Sequence, residues 1–192
     1  MSSAPSHRLA SAYVDLDQFS EQSLDPVDLF RVLYRAATGL LDTTGFYLGL
    51  YDAGSGIVEI VRQMESGTEL PGGAFPLGHG LTSQAILTRQ AYLARRWSER
   101  GLQVQLQYAT SRSDLPESVI TVPIVGPASD EVLGVVAVQS YQPDAYDESD
   151  VPALERLASA AARVIDRRLT AHEPRHDRLR QVGAAMPSRR LR

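Results

Sequence analysis

Two stretches in the second half of the chain, Ser118-Val-Ile-Thr-Val-Pro-Ile-Val125 and Val132-Leu-Gly-Val-Val-Ala-Val-Gln-Ser-Tyr141, are rich in β-branched residues and carry no charge. Strands that read as near-continuous apolar runs are buried on both faces rather than half-solvated. The turn residues Gly126-Pro-Ala-Ser-Asp130 separate the two, so they are expected to pair as the central hairpin of a covered sheet. Pro123 interrupts the first run. Proline cannot donate to a ladder, which predicts a bulge or irregular pairing there.

The flanking segments supply further strands and the cover. Phe46–Tyr51 alternates and is rich in aromatic residues, Asp52-Ala-Gly-Ser-Gly56 supplies a turn, and Ile57–Met64 is β-branched, which together predict a second antiparallel hairpin. Asp25-Pro26 sets an N-cap and a proline at the first helical position. Leu29, Phe30, Leu33, Ala36, Ala37, Leu40 and Leu41 then recur on one stripe, predicting a helix over about 26–42. A second amphipathic stripe, Val151, Leu154, Leu157, Ala161 and Leu169, predicts a terminal helix over about 149–169, stopped within a few residues of Pro174. Leu9, Tyr13, Leu16 and Phe19 mark a shorter amphipathic helix within residues 7–22. Between the hairpins, 65–73 reads as a polar loop and 74–77 as a short extended piece. Gly78-His79-Gly80 reads as a turn into a helix, Tyr92–Ala94 as a short strand, and 95–117 as a long loop with a short helix.

The chain of 192 residues has no cysteine, which excludes disulfides, thiolate nucleophiles and thiol metal sites. The longest nearly uncharged apolar run, Val132–Ser140, is far short of the roughly 20 residues a membrane helix needs, and Met1–Pro5 lacks the features of a signal peptide. No membrane association and a cytoplasmic location are therefore expected. From His172 onward six arginines face Glu173 and Asp177, a balance of +4, leaving −8 on the rest of a chain whose total is −4. The acidic balance of the folded part thus argues against nucleic acid as its partner. The division expected is a helical segment over 1–24, one folded domain over 25–171, and an arginine-rich disordered tail over 172–192.

In order, these elements resemble a GAF domain over roughly Asp25–Leu169. The stretches that carry the likeness are Phe75-Pro-Leu-Gly-His-Gly-Leu-Thr-Ser-Gln-Ala-Ile-Leu-Thr-Arg-Gln90, Ile120-Thr-Val-Pro-Ile124, Val132-Leu-Gly-Val-Val-Ala-Val138 and Tyr146-Asp-Glu-Ser-Asp-Val-Pro-Ala-Leu154. The resemblance implies an α+β, GAF/PAS-like fold: a central antiparallel sheet of about six strands with flanking helices. It also implies a small-molecule pocket on one sheet face, roofed here by 95–117. Members of this kind bind cyclic nucleotides, bilins, haem, small anions or amino-acid-like effectors, or only dimerise. The thiol-dependent roles in the group, sulfoxide reduction and covalent bilin attachment, are excluded by the missing cysteine. The Asn-Lys…Phe…Asp-Glu pattern of cyclic-nucleotide binders is absent too, because the chain has neither asparagine nor lysine.

Within that frame the pocket candidates are Tyr47, Arg62, His79, Gly80, Thr82, Trp97 and Tyr108. The glycine turn at 78–80 offers either backbone N–H groups to a ligand or turn geometry alone. Trp97 and Tyr108 either stack on a flat ligand or close the local core. Arg62, Arg89 and Arg112 would neutralise an acidic ligand or stay solvated. His79 has no companion at metal-site spacing, and no carboxylate pair suggests a general acid and base, so no catalytic residue, metal or cofactor is expected. The resulting expectation is a non-enzymatic bacterial regulatory module. It would bind a small cytoplasmic effector non-covalently, act on a signalling partner and form a homodimer through its terminal helices; the alternative is a dimerisation scaffold with no ligand.

Overall fold

The computed structural model describes residues 25–100 and 115–183. The expected helical segment 7–22, and Tyr108 and Arg112 of the expected roof, lie outside the described residues, as do 184–192.

The first helix, α1 (Pro26–Thr38), begins as its sequence dictates: Asp25 Oδ1 accepts the Val27 N–H at 2.9 Å and Pro26 occupies the first turn. It ends at Gly39, short of Asp42, because the Leu40 and Leu41 N–H groups both fold back onto the Ala37 carbonyl. The strands β1 (Gly45–Asp52) and β2 (Ile57–Glu65) form the first hairpin. The chain then returns as β3 (Thr68–Pro71) and β4 (Ala74–Pro76), both antiparallel to β2. The stretch 65–73, expected to be a loop, thus contains a strand. Ser66 and Gly67 both take positive φ, 48° and 82°, the two-residue type I′ turn that matches strand twist, so polar Thr-Glu-Leu-Pro pairs at the sheet edge.

Next come α2 (Leu81–Thr88), β5 (Tyr92–Ala94) and a 3₁₀ turn at Trp97–Arg100. From Ser118 the chain forms the central hairpin β6 (Ser118–Val125) and β7 (Val132–Ser140), then α3 (Val151–Gly183). The sheet has seven strands in the order β3-β2-β1-β7-β6-β5, with β4 also on β2. Pro123 corrects an expectation. It keeps regular register with Val135, and the irregularity falls at Ile124/Val125 instead. β5 pairs only with Val119–Thr121, so at Pro123 β6 is locally an edge, where a missing N–H is tolerated. The last helix also differs, running through Pro174 to Gly183 and making residues 172–183 helical rather than irregular. The neighbouring Glu, Arg, Leu and Gln residues favour helix strongly enough to carry the chain past one proline.

Helices α1 and α3 cover one sheet face. There Phe46, Leu48, Ile120, Val122, Ile124, Val136 and Val138 meet Phe30, Leu33, Leu154, Leu157 and Ala161 in one apolar core. Asp166 of α3 reaches back to hold the β6–β7 turn, accepting the Ala128 N–H at 2.8 Å. On the other face Val58, Ile60, Phe75, Val135 and Ala137 pack against Ala85 and Ile86 of α2.

Candidate functional site

Strand alternation decides which side chains share the α2 face. Across the sheet, Gln63, Tyr47, Ala137, Thr121 and Tyr92 are direct cross-strand partners in one row, and Glu65, Gly45, Gln139, Val119 and Ala94 form the next. Directly paired residues project to the same face. The α2 face therefore carries Gln63, Glu65, Tyr47, Thr121 and Gln139, while the opposite face of the same strands is mainly apolar, with Arg62, Ser118 and Ser140 at its margins. These are not surface positions: Gln63, Glu65 and Tyr47 are 5%, 7% and 3% exposed and Thr121 is fully buried. Gly45 makes space in the second row. A Cβ there would stand 2.8 Å from Cβ of Gln139, so the amide side chain lies over the glycine.

Helix α2 adds two more polar groups. Thr82 Oγ1 and the Tyr47 hydroxyl hydrogen-bond at 2.8 Å, and Ser83 Oγ accepts the Gly78 N–H at 2.9 Å. Burial pushes the Tyr47 phenol above its ordinary pKa, opposed by Thr82 and Thr121, so the group stays neutral at physiological pH. Thr121 Oγ1 is close enough to influence that phenol but falls short of a hydrogen bond, and is the one buried side-chain polar atom without a partner among the described residues. Just past β7, Tyr141 donates its hydroxyl to Glu65 Oε1 at the end of β2, at 2.8 Å.

The described residues that flank 101–114 are tied to one another and to the sheet. Trp97 N–H donates to Glu117 O at 2.7 Å, and the Ser98 hydroxyl donates to the Glu117 carboxylate at 2.9 Å. Ser118 Oγ donates to Arg95 O at 2.8 Å and accepts Ala145 N–H at 3.0 Å. Arg95 and Arg96 both pair with Asp144, whose carboxyl is held below its ordinary pKa, chiefly by the hydrogen bond from Arg96.

Of the sequence candidates, the structure brings Tyr47 and Thr82 together. Trp97 is only 7% exposed and packs with Leu81, Ala94 and Val119, closing a separate local core. Gly80 is the N-cap of α2 with no side-chain cap, and His79 beside it is exposed, its carbonyl accepting from Gln84 Nε2 at 3.2 Å. Arg62 is not brought to this face. A bulge between Leu48 and Gly49 turns it toward the α1 side, where it pairs with Glu69 at 3.6 Å beside Arg31. Arg89 pairs with Asp130 at 2.6 Å. Sequence reasoning missed Gln63, Glu65, Thr121 and Gln139. Their signal was parity, since each is polar at the strand position opposite to its apolar neighbours.

Elsewhere, an open recess of about 350 Å³ lies between residues 38–42 and the loop before α3. Tyr146 lines it and donates to Asp42 O at 2.5 Å, which is a contact that locks the corner of the fold. Among the described residues no three His, Asp or Glu side chains gather as metal ligands, and no helix is long and apolar enough to cross a membrane.

The family model for the GAF domain matches residues 23–166. No curated protein matches the chain. Among solved structures, the GAF domain of an Acinetobacter phosphoenolpyruvate-protein phosphotransferase superposes with a TM-score of 0.63 at 16% identity, covering 90% of this chain and 99% of that one. A methyl-accepting chemotaxis protein fragment gives 0.64 at 21% identity, covering 82% and 97%. The free methionine-R-sulfoxide reductase of Neisseria meningitidis, in complex with its substrate, gives 0.58 at 20% identity, covering 85% and 93%. At such identities the likeness is one of fold.

Proposed function

The chain belongs to the GAF domain family, and on that premise we propose that it is a non-enzymatic sensory module that binds a small polar effector non-covalently on the α2 face of its sheet. The observation that carries the proposal is the contrast between the two faces of one sheet. The strands that present a mainly apolar core to α1 and α3, with Ser118, Ser140 and Arg62 only at its margins, present Gln63, Glu65, Tyr47, Thr121 and Gln139 to the other side. Burying polar groups costs stability unless each is hydrogen-bonded, and a face meant only for packing would use valine and leucine there. Tyr47 and Thr82 border the site; Gly80 and His79 stand at the entrance of α2, and Trp97 forms a wall.

Reversible binding is favoured over catalysis by the chemistry at hand. Reduction of a sulfoxide draws two electrons from the protein, and the chain has no thiol to supply them. The effector would act by favouring one arrangement of the helices over another, since a ligand shifts an equilibrium only by its differential affinity. Output runs through α3, which extends well beyond its last described buried residue, Asp166, and exposes Leu169. A homodimer through the terminal helices and a signalling protein at its end complete the reading, in a cytoplasmic setting.

Thermal unfolding of the full chain against nucleotides, amino acids, nitrate and neutral metabolites tests the proposal. A compound at 100 times its Kd stabilises by about 2.7 kcal/mol. If no class raises Tm, the effector reading fails, and a dimer seen by light scattering would then favour the scaffold alternative.

A further inference from the structure

Within the α2 face one spot is chemically distinct. Thr121 is fully buried, its Oγ1 has no hydrogen-bond partner, and its cross-strand neighbour on β7 is Ala137, a single methyl. On the far side of Ala137 stands Tyr47, whose hydroxyl meets Thr82 Oγ1 on the first turn of α2. Strands β1 and β6 are two strand spacings apart, about 10 Å. Three neutral hydroxyls thus converge over the smallest side chain of the row. Leu81 of α2 packs on Val119, two residues before Thr121, which sets the helix start above this part of β6. A buried hydroxyl without a partner costs stability, and native folds retain such groups where something else completes them.

We propose that Thr121 Oγ1, with the Tyr47 and Thr82 hydroxyls, anchors an uncharged hydrogen-bonding group of the effector, such as an amide, carbonyl or hydroxyl. The inference rests on the effector reading above and specifies its chemistry. Neutrality follows from the surroundings. The phenol is held protonated by burial, the two threonines cannot ionise, and among the described residues Ala137, Val135 and Ala85 supply an apolar lining, while Glu65, the carboxylate of this face, already accepts from the Tyr141 hydroxyl at 2.8 Å. The nearby arginines named in the sequence are engaged elsewhere: Arg62 with Glu69 across the sheet and Arg89 with Asp130.

Two measurements on the full chain test it. In the first, Thr121→Val, which keeps the shape and deletes the hydroxyl, is compared with wild type in the absence of added ligand. Removing an orphaned hydroxyl is expected to raise Tm by roughly 2–4 °C. A fall in Tm would show that the fold itself already satisfies Thr121, and would overturn the inference. In the second, ¹³C-methyl signals of Thr121 and Ala137 are followed on titration with acetamide, acetate and acetamidinium, which share a shape and differ in charge. Saturable shifts with acetamide alone, kept in Thr121→Ser and lost at Ala137 in Thr121→Val, are expected. An equal response to either ion, no response to acetamide, or an acetamide response unchanged in Thr121→Val would overturn it. These outcomes separate from failure of the wider reading. A charged compound that stabilises the protein regardless of Thr121→Val refutes the anchor and leaves the sensor intact.

Discussion

Ser118→Ala is expected to cost more than its small change in volume suggests. The side chain is fully buried where three segments meet: Oγ donates to Arg95 O at 2.8 Å and accepts Ala145 N–H at 3.0 Å. The two lost bonds are not equivalent. Arg95 O also accepts the Asp144 N–H at 2.8 Å, so it keeps a partner, whereas Ala145 N–H loses the bond it makes to Ser118. A lost net hydrogen bond of about 0.5–1.5 kcal/mol plus an orphaned donor of about 1–3 kcal/mol gives roughly 2–4 kcal/mol. For a chain of this length that is a fall in Tm of roughly 5–15 °C. Urea unfolding monitored by circular dichroism measures it, with Ser129→Ala in the exposed β6–β7 turn as control. The midpoint should drop with the slope m unchanged, since the same surface unfolds. A loss under about 0.5 kcal/mol would refute the reasoning that this hydroxyl joins β5, β6 and the loop before α3.

Gly134→Ala should be far worse, because a Cβ would lie 2.1 Å from Gly49 O on β1; a loss of roughly 3 kcal/mol or more, or failure to fold, is expected by circular dichroism. Asp25→Ala removes the N-cap of α1 and should cost about 1 kcal/mol in urea unfolding, with Asp28→Ala costing less. Asp144→Asn probes the clamp on Arg95 and Arg96. Because the folded carboxyl titrates below its unfolded value, its contribution is present above pH about 4 and disappears as pH falls through the folded pKa. The stability gap between wild type and Asp144→Asn should therefore close on acidification, and also in 1 M salt, since these groups are exposed. A gap that widened at low pH would contradict that sign.

The frame was legible because its signals are local. Asp25-Pro26 starts a helix in any context, the β-branched runs 118–125 and 132–141 pair across a short turn, and Gly78–Gly80 leads into α2. What escaped depended on partners distant in sequence. Thr68–Pro71 has no strand-like composition and pairs only because Ser66-Gly67 folds it onto β2. Arg62 appeared to share a face with Tyr47. A bulge whose only trace is the register change at Leu48/Gly49 sends it to the other side. The polar row was hidden in the same way. Thr121 within Val-Ile-Thr-Val-Pro reads as one hydroxyl in a greasy strand until Ala137 and Tyr47 are set beside it. Periodicity assigns a residue to one of two faces; only the tertiary structure says which face receives α2.

The closed neck between Trp97 and Glu117 has an evolutionary meaning. Once two chain ends are fixed a hydrogen bond apart, the entropy of closing what lies between them grows only with the logarithm of its length, about 0.6 kcal/mol per doubling. The segment joining them can be rewritten, lengthened or exchanged while β5, β6 and the Ser118 junction stay as they are. Such a neck works as a socket: the length and composition of residues 101–114 can change at little cost to the stability of the sheet.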